Sequence, residues 1–569
     1  MEMVRLRGRA AALIVLVALV LGAMPLNVAA AGSAAQVLEG VLERVKGDDF
    51  ARGKAVGHGY VLSGRGGELT ELAFARQPAD KLVGKKVRLK GRQNGQTFNV
   101  AADGTQVVAS TSTSGTSGTS ATKRVAVILF NFANDQTQPY TTAFAAGIAF
   151  NNADSVAAYY SENSLGKWGM TGQVFGWYTI ASSNSSCSYS TWANEARALA
   201  AVDGYADSQF DNVVYGFPRT SACSWNGLAN LPGRNSWLNG TGGMTLRVMA
   251  HELGHNFGTH HAQTLSCTEG GVRVALVSDI SKCTVSEYGD PFTVMGAAQR
   301  HHMTNFSRGN FGWLSNGNTA DVSKTGEYLL APLGVGSGVV GVRIARTSNS
   351  WLLLEYRRPY GTLFETYSSS SAVANGVSVR IVPAYSSRTQ SKLVDTTPST
   401  TSFSDAALAS GGTFTDPLTN VSITTVSVAS SGAVVRVQFG GSGGTSPSPS
   451  PTPSPTPSAS PSPTPSPSPS TNPTPTLPPD TEPPTAPTDL TVAPAAKGNK
   501  VVVSWKASTD NIGVAGYRVF RNGTQVASVT HTSYSDSLPK KTTSPTYYVV
   551  AFDAAGNVSV PADPVAFRK

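Results

Sequence analysis

At 569 residues the chain is too long for one hydrophobic core, and three or four domains are expected. Gly, Ser, Thr and Pro are abundant and charge is low, and the net +9 is spread along the sequence. The densest basic patch, Lys81 to Arg92, alternates with Val87 and Leu89, which reads as a strand with a solvated face and argues against a nucleic-acid partner.

The chain opens with Arg5, Arg7 and Arg9, then the apolar run Ala11 to Leu21, then Ala29-Ala30-Ala31. The run is short for a membrane span and small residues follow it, so residues 1–31 read as a secretory signal peptide. No other segment is apolar enough to span a bilayer, which predicts a mature chain without a membrane span, secreted to the extracellular space. Residues 32–108 alternate in short strands, among them Val37 to Val45 and Val87 to Val100, with Gly-rich turns between them. That pattern resembles a small OB-like β-barrel, which would serve as a propeptide, an inhibitor or a binding module. Residues 109–123, rich in Ser, Thr and Gly, form a flexible, cleavable linker.

Beyond the linker, Val125 to Phe132 reads as a buried strand and Thr141 to Tyr160 as a helix. Val174 to Ile180 and Asn212 to Phe217 read as strands, and Tyr189 to Val202 as a helix. A further helix starts near Gly243, with Leu246, Met249, Leu253 and Phe257 on one apolar stripe. Its other side carries His251 and His255, four apart and so one turn apart on a shared face. The full run, His251-Glu252-Leu253-Gly254-His255-Asn256-Phe257-Gly258-Thr259-His260-His261, has the spacing HExxHxxGxxH. The five-residue core alone would arise by chance in roughly 7% of chains this long, the full motif in about two in ten thousand. Six of the eight histidines fall between His251 and His302. Gly258 can take a positive φ, so the chain turns back and delivers His261 as a third metal ligand. Three protein ligands plus one water make an open, catalytic zinc site, with Glu252 free to act as general base. His260 is the out-of-frame competitor for the third ligand, and a downstream Glu such as Glu269 would serve in a thermolysin-like arrangement. His301 and His302 read as surface histidines.

Downstream lies Glu287-Tyr288-Gly289-Asp290-Pro291-Phe292-Thr293-Val294-Met295-Gly296, where Met295 is the candidate for a methionine turn under the ligands. Together with Tyr159 to Lys167 and Phe311-Gly312-Trp313-Leu314, these residues resemble the gametolysin-like secreted zinc metallopeptidases, a metzincin family. The resemblance runs from about Arg124 to Gly440. It implies one catalytic zinc, peptide-bond hydrolysis and an α/β metzincin-like catalytic domain over residues 124–325. Related enzymes can be kept latent by a propeptide cysteine on the zinc. Here the first cysteine is Cys187, so the N-terminal segment supplies no such thiol, and latency needs another device. The four cysteines, Cys187, Cys223, Cys267 and Cys283, suit an exported protein with two disulfides. Three pairings are open; neighbour pairing, Cys187 with Cys223 and Cys267 with Cys283, is preferred.

Residues 326–440 turn to β patterning, with strands at Leu352 to Tyr356, Val377 to Val382 and Ala433 to Phe439, which suits a β-sandwich. Residues 441–482 are a Pro/Ser/Thr linker, whose proline tract would reach about 100 Å as an extended spacer. Residues 483–569 resemble a fibronectin type III domain, on Pro483-Pro484, Val501-x-Val503-x-Trp505, Tyr517-x-Val519 and Tyr547-x-Val549-x-Ala551. The fold class expected is therefore multidomain: an α/β metzincin-like catalytic domain flanked by all-β modules. The function expected is a secreted zinc endopeptidase acting on extracellular protein or glycoprotein substrates, its β-modules meeting a cell-wall or matrix surface. Calcium is left open, with no motif that indicates it. A catalytically spent surface-binding or adhesive protein is the alternative, and the intact Glu252 and three histidines speak against it.

Overall fold

The computed structural model describes residues 34–109, 121–440 and 484–569, apart from 51, 316, 335–337, 360–362, 385–389, 496–498, 523, 540–544, 555–558, 560–561, 563–564 and 568–569. The expected signal peptide, most of the Ser/Thr/Gly linker and the Pro/Ser/Thr linker lie outside the described residues.

Five strands build the N-terminal unit: β1 (Gln36–Asp49), β2 (Lys54–Ser63), β3 (Leu69–Phe74), β4 (Lys86–Asn94) and β5 (Thr97–Ala109). They run in the order β2-β3-β5-β4-β1, and β1 also pairs with β2, so the sheet closes on itself. Its inside is filled by Leu42, Leu62, Val87, Leu89 and Phe98. Along β4 burial alternates, with Val87 and Leu89 inside and Arg88 and Lys90 outside, so the densest basic patch is a solvated face.

The next five strands extend the same sheet: β6 (Ala121–Phe132), β7 (Trp168–Ile180), β8 (Asn212–Phe217), β9 (Gly227–Asn230) and β10 (Asn235–Asn239). Their order is β9-β10-β8-β6-β7; β9 is antiparallel to β10 and the other neighbours are parallel. The apolar run of β6 buries both of its faces, which is why it shows no polar alternation. Val125, Val127 and Leu129 face one core, while Ala126, Ile128 and Phe130 face another. The stretch expected as one helix from Thr141 to Tyr160 is broken. It gives α1 (Thr142–Ala146), a π-turn at Gly147–Asn151, and then α2 (Val156–Asn163). Gly147 and the Asn-rich stretch are poor helix formers, and Ser155 caps the new start by accepting from Ala158 N at 3.2 Å. Helix α3 (Tyr189–Val202) covers the Ala126 side through Trp192, Ala193, Ala196 and Ala200, and α4 (Leu246–Asn256) covers the other.

After His261 the chain enters β11 (Ala262–Glu269), part of a nine-stranded sheet whose other members include Gly341–Thr347, Ser350–Tyr356, Gly376–Pro383 and Ser391–Val394. A third sheet joins Gly326–Leu330, Ser422–Ala429 and Gly432–Gln438 to strands of the last module through one residue pair, Tyr328 and Thr524. In that module Trp505 and Tyr547 are buried, and the Tyr547 hydroxyl donates to Asp536. Disulfides join Cys187 to Cys223 and Cys267 to Cys283.

The expected fold class is corrected here. The molecule is mostly β, 45% strand and 14% helix, and is built from packed sheets; no α/β metzincin core between separate β-modules is evident. The described residues after α4 hold one further α-helix, the six-residue α5 (Asn305–Asn310). The physical reason is that strand pairing is non-local: β1 pairs with β9, and β11 pairs with Ser391–Val394. Local periodicity identifies a strand but carries no trace of its distant neighbour.

Candidate metal centre

Helix α4 begins at a Thr245 cap whose hydroxyl accepts from Val248 N at 3.3 Å. The apolar stripe packs inward: Met249 and Leu253 are buried, and Leu246 and Phe257 pack against them. The helix stops at Phe257, and Gly258 follows with φ +100°, a conformation that a Cβ would strain. His261 then lies beside His255 and His251. All three histidines and Glu252 are fully buried.

Each imidazole is held at its Nδ1. His251 Nδ1–H donates to Val294 O at 2.9 Å, His255 Nδ1–H to Thr259 O at 2.8 Å, and His261 Nδ1–H to the Glu287 carboxylate at 2.9 Å. A carbonyl or carboxylate oxygen only accepts here, so the proton of each neutral ring sits on Nδ1 and each Nε2 presents a lone pair. The Nε2 atoms stand 3.1 Å apart for His251 and His255, and 3.0 Å for His255 and His261. Burial lowers the pKa of His251 and His255, so the rings are neutral. Three lone pairs at such separations repel unless a cation lies between them.

A fourth donor converges on the same point, and it comes from the N-terminal unit. Asp48, on β1, places Oδ2 3.4 Å from His251 Nε2 and 3.3 Å from His255 Nε2, and Oδ1 3.1 Å from His261 Nε2. Donors about 2.0–2.1 Å from one tetrahedral centre stand about 3.3–3.4 Å apart. The observed separations match that, so Asp48, His251, His255 and His261 form a buried group that could hold a metal. The sequence predicts an open fourth position; in the structure the Asp48 carboxylate fills it.

Glu252 lies beside Asp48. Neither of its oxygens has a hydrogen-bond partner, and burial, then the Asp48 charge, push its pKa well above the usual range. Gly227 on β9 makes room for it, since a Cβ there would sit 2.1 Å from Glu252 Oε1. Below the histidines, Gly296 N donates to Thr293 O at 2.9 Å and closes a tight turn that aims the Val294 carbonyl at His251. Met295 is fully buried, and its sulfur would lie 2.7 Å from a Cβ on Gly254, so that glycine lets the thioether reach the helix. The turn is anchored from beneath: Asp290 pairs with Arg380, which donates from Nε to Glu355 at 2.9 Å.

Of the other sequence candidates, Glu269 is exposed at the far end of β11, and His260 lies outside the four-residue group. The surface reading of His302 is corrected: it is 1% exposed and bonds Glu162 at 2.6 Å. His301 is half-buried against Tyr367, and burial pulls its pKa down to about 4. Sequence reasoning missed Asp48 and Glu287. Neither has a local signature, although Glu287 stands next to Tyr288 in a stretch already singled out.

Residues 129–271 match the family model described as Gametolysin peptidase M11. The matched segment contains α4 and the three histidines and is similar to the gametolysin peptidases. A segment of 84 residues is 46% identical to Exoglucanase B of Cellulomonas fimi, covering 15% of this chain and 8% of that protein. One of 81 residues is 46% identical to Chitinase Chi52 of Paenibacillus xylanexedens, covering 14% of this chain and 15% of that protein. The chain thus spans less than a sixth of the length of these two curated relatives. Among solved structures, an Fn3-like protein from Clostridium thermocellum matches at 25% identity and a TM-score of 0.13, over 14% of this chain and 86% of that one. Among the described residues no helix is long and apolar enough to cross a membrane.

Proposed function

We propose that the protein is an exported zinc endopeptidase, metzincin-type in its ligand spacing, that cleaves extracellular proteins or glycoproteins. The observation that carries this reading is the convergence of three Nε2 lone pairs, each fixed from behind by an acceptor on its Nδ1. An N/O donor set at tetrahedral spacing suits zinc. When bound, zinc supplies Lewis-acid polarisation of the scissile carbonyl and acidifies water. Beside a bound cation, which would favour its ionised form, Glu252, buried and without a donor, would take the proton of the attacking water and pass it to the leaving amine. Strand β9, whose far side pairs with β1 in this structure, would offer backbone groups to an extended peptide beside that carboxylate once that side is free. The two disulfides suit an oxidising compartment. The last module, with relatives named for polysaccharide-degrading enzymes, is read as a surface-directed attachment.

The test is zinc content and protein digestion, with and without a chelator, for the wild-type chain and for Glu252→Ala. The variant should keep one zinc per chain and lose about 10²–10⁴-fold in turnover. Equal and measurable turnover by the two chains would reject the general-base role. A catalytically spent binding protein is the second reading, favoured by the Asp48 carboxylate in the fourth position.

A further inference from the structure

We infer that the N-terminal unit is an intramolecular inhibitor, with the end of β1 lying along the substrate edge and Asp48 acting as a removable fourth metal ligand. The inference rests on the zinc reading above.

Strand β1 pairs antiparallel with β9, Val45 opposite Asn230 through Asp48 opposite Gly227. Asn226 N donates to Asp48 O at 2.8 Å, and Leu231 N to Arg44 O at 2.7 Å. These contacts occupy the side of β9 that an extended substrate would need, so β1 and a substrate exclude each other. Alternate residues of a strand share a face, and Lys46, Asp48 and Phe50, at alternate positions at the end of β1, all reach the centre. Lys46 Nζ pairs at 2.6 Å with Glu287, the carboxylate that orients His261. Asp48 meets all three Nε2 atoms and accepts a hydrogen bond from the Tyr288 hydroxyl. Phe50, just past the strand end, sets its ring edge-on to His251 at 4.9 Å. The attachment is to the site itself: the carboxylate stands where a water would have to stand, beside Glu252. It also supplies from oxygen the blocking ligand that this chain, with no cysteine before Cys187, lacks as a thiol. Turnover therefore requires β1 to be withdrawn from β9.

The experiment uses the full chain loaded with cobalt(II), whose visible absorption reports ligand exchange, and acetohydroxamate as the probe of an open position. Wild-type protein should show no spectral response to acetohydroxamate. Asp48→Ala should bind it at least tenfold more tightly, hold cobalt at least tenfold more weakly, and digest protein at least tenfold faster than wild type. The nearly isosteric Asp48→Asn, which keeps an acceptor for Tyr288, should fall between them. A wild-type chain that takes the probe as readily as the variants overturns the inference and leaves the metal reading intact; that measurement needs no substitution. An Asp48→Ala chain that loses cobalt and gains neither probe binding nor digestion also overturns it, because Asp48 is then a permanent ligand of a structural site. If no chain binds cobalt, the zinc reading itself falls, and the inference with it.

Discussion

Glu287 is the residue on which two functions meet. It accepts from His261 Nδ1 and, across the module boundary, from Lys46. Burial pushes its carboxyl up, but the His261 hydrogen bond and the Lys46 charge prevail and hold it well below its usual range. A carboxylate behind a ligating imidazole fixes the ring and raises its basicity, and loss of such a partner costs about 10–100-fold in metal affinity. Glu287→Gln should therefore weaken zinc binding by about that factor, read by competition with a chromophoric chelator. An unchanged affinity would show that Glu287 serves only the Lys46 contact.

At the scale of elements, β1 is held to the sheet of β6 to β10 by more than its end. Glu43, on the same strand, is buried with one carboxyl oxygen unpartnered, and its side chain reaches the turn at Gly233 that joins β9 to β10. Burial raises its pKa from 4.5 to about 8, partly offset by Arg234 and Arg197. The sign follows from linkage. The folded state binds this proton more tightly than the unfolded chain, so the contribution is full below about pH 4.5 and is lost as pH rises through about 8. Wild-type protein should then lose more Tm between pH 5 and 8.5 than Glu43→Gln, by several degrees at about 2–4 °C per kcal/mol. Parallel Tm curves for the two proteins across that window would refute the assignment. Glu43 and Asp48 lie on the strand that was expected as Val37 to Val45, and the residues beyond Val45 prove to be the ones that reach the histidine cluster.

The whole molecule is joined by apolar contacts that cross boundaries drawn from composition. Leu329 and Val434, on the third sheet, pack against Phe520, Tyr548 and Val550 of the last module. Phe520 is fully buried and stacks on Tyr548 at 4.7 Å. Its loss from a packed site costs about 3–5 kcal/mol. Phe520→Ala should detach the last module and enlarge the radius of gyration in solution scattering while leaving zinc content unchanged. A scattering profile identical to wild type would show that the module is held by other contacts.

What the sequence determined by itself is whatever a short stretch of backbone can encode. Residues four apart on a helix share a face, so His251 and His255 were legible as a candidate ligand pair. A positive-φ glycine reverses the chain within one turn, so His261 was legible as their companion. The strand around Trp505 and the helix Tyr189–Val202 were legible for the same reason, because their periods are local. Tertiary structure alone decided that three sheets run across the expected domain boundaries, that the Val294 carbonyl and Glu287 orient the imidazoles, and that Asp48 faces all three of them. Each of these depends on groups far apart in the chain meeting through strand register or packing, and neither leaves a periodic mark in the sequence.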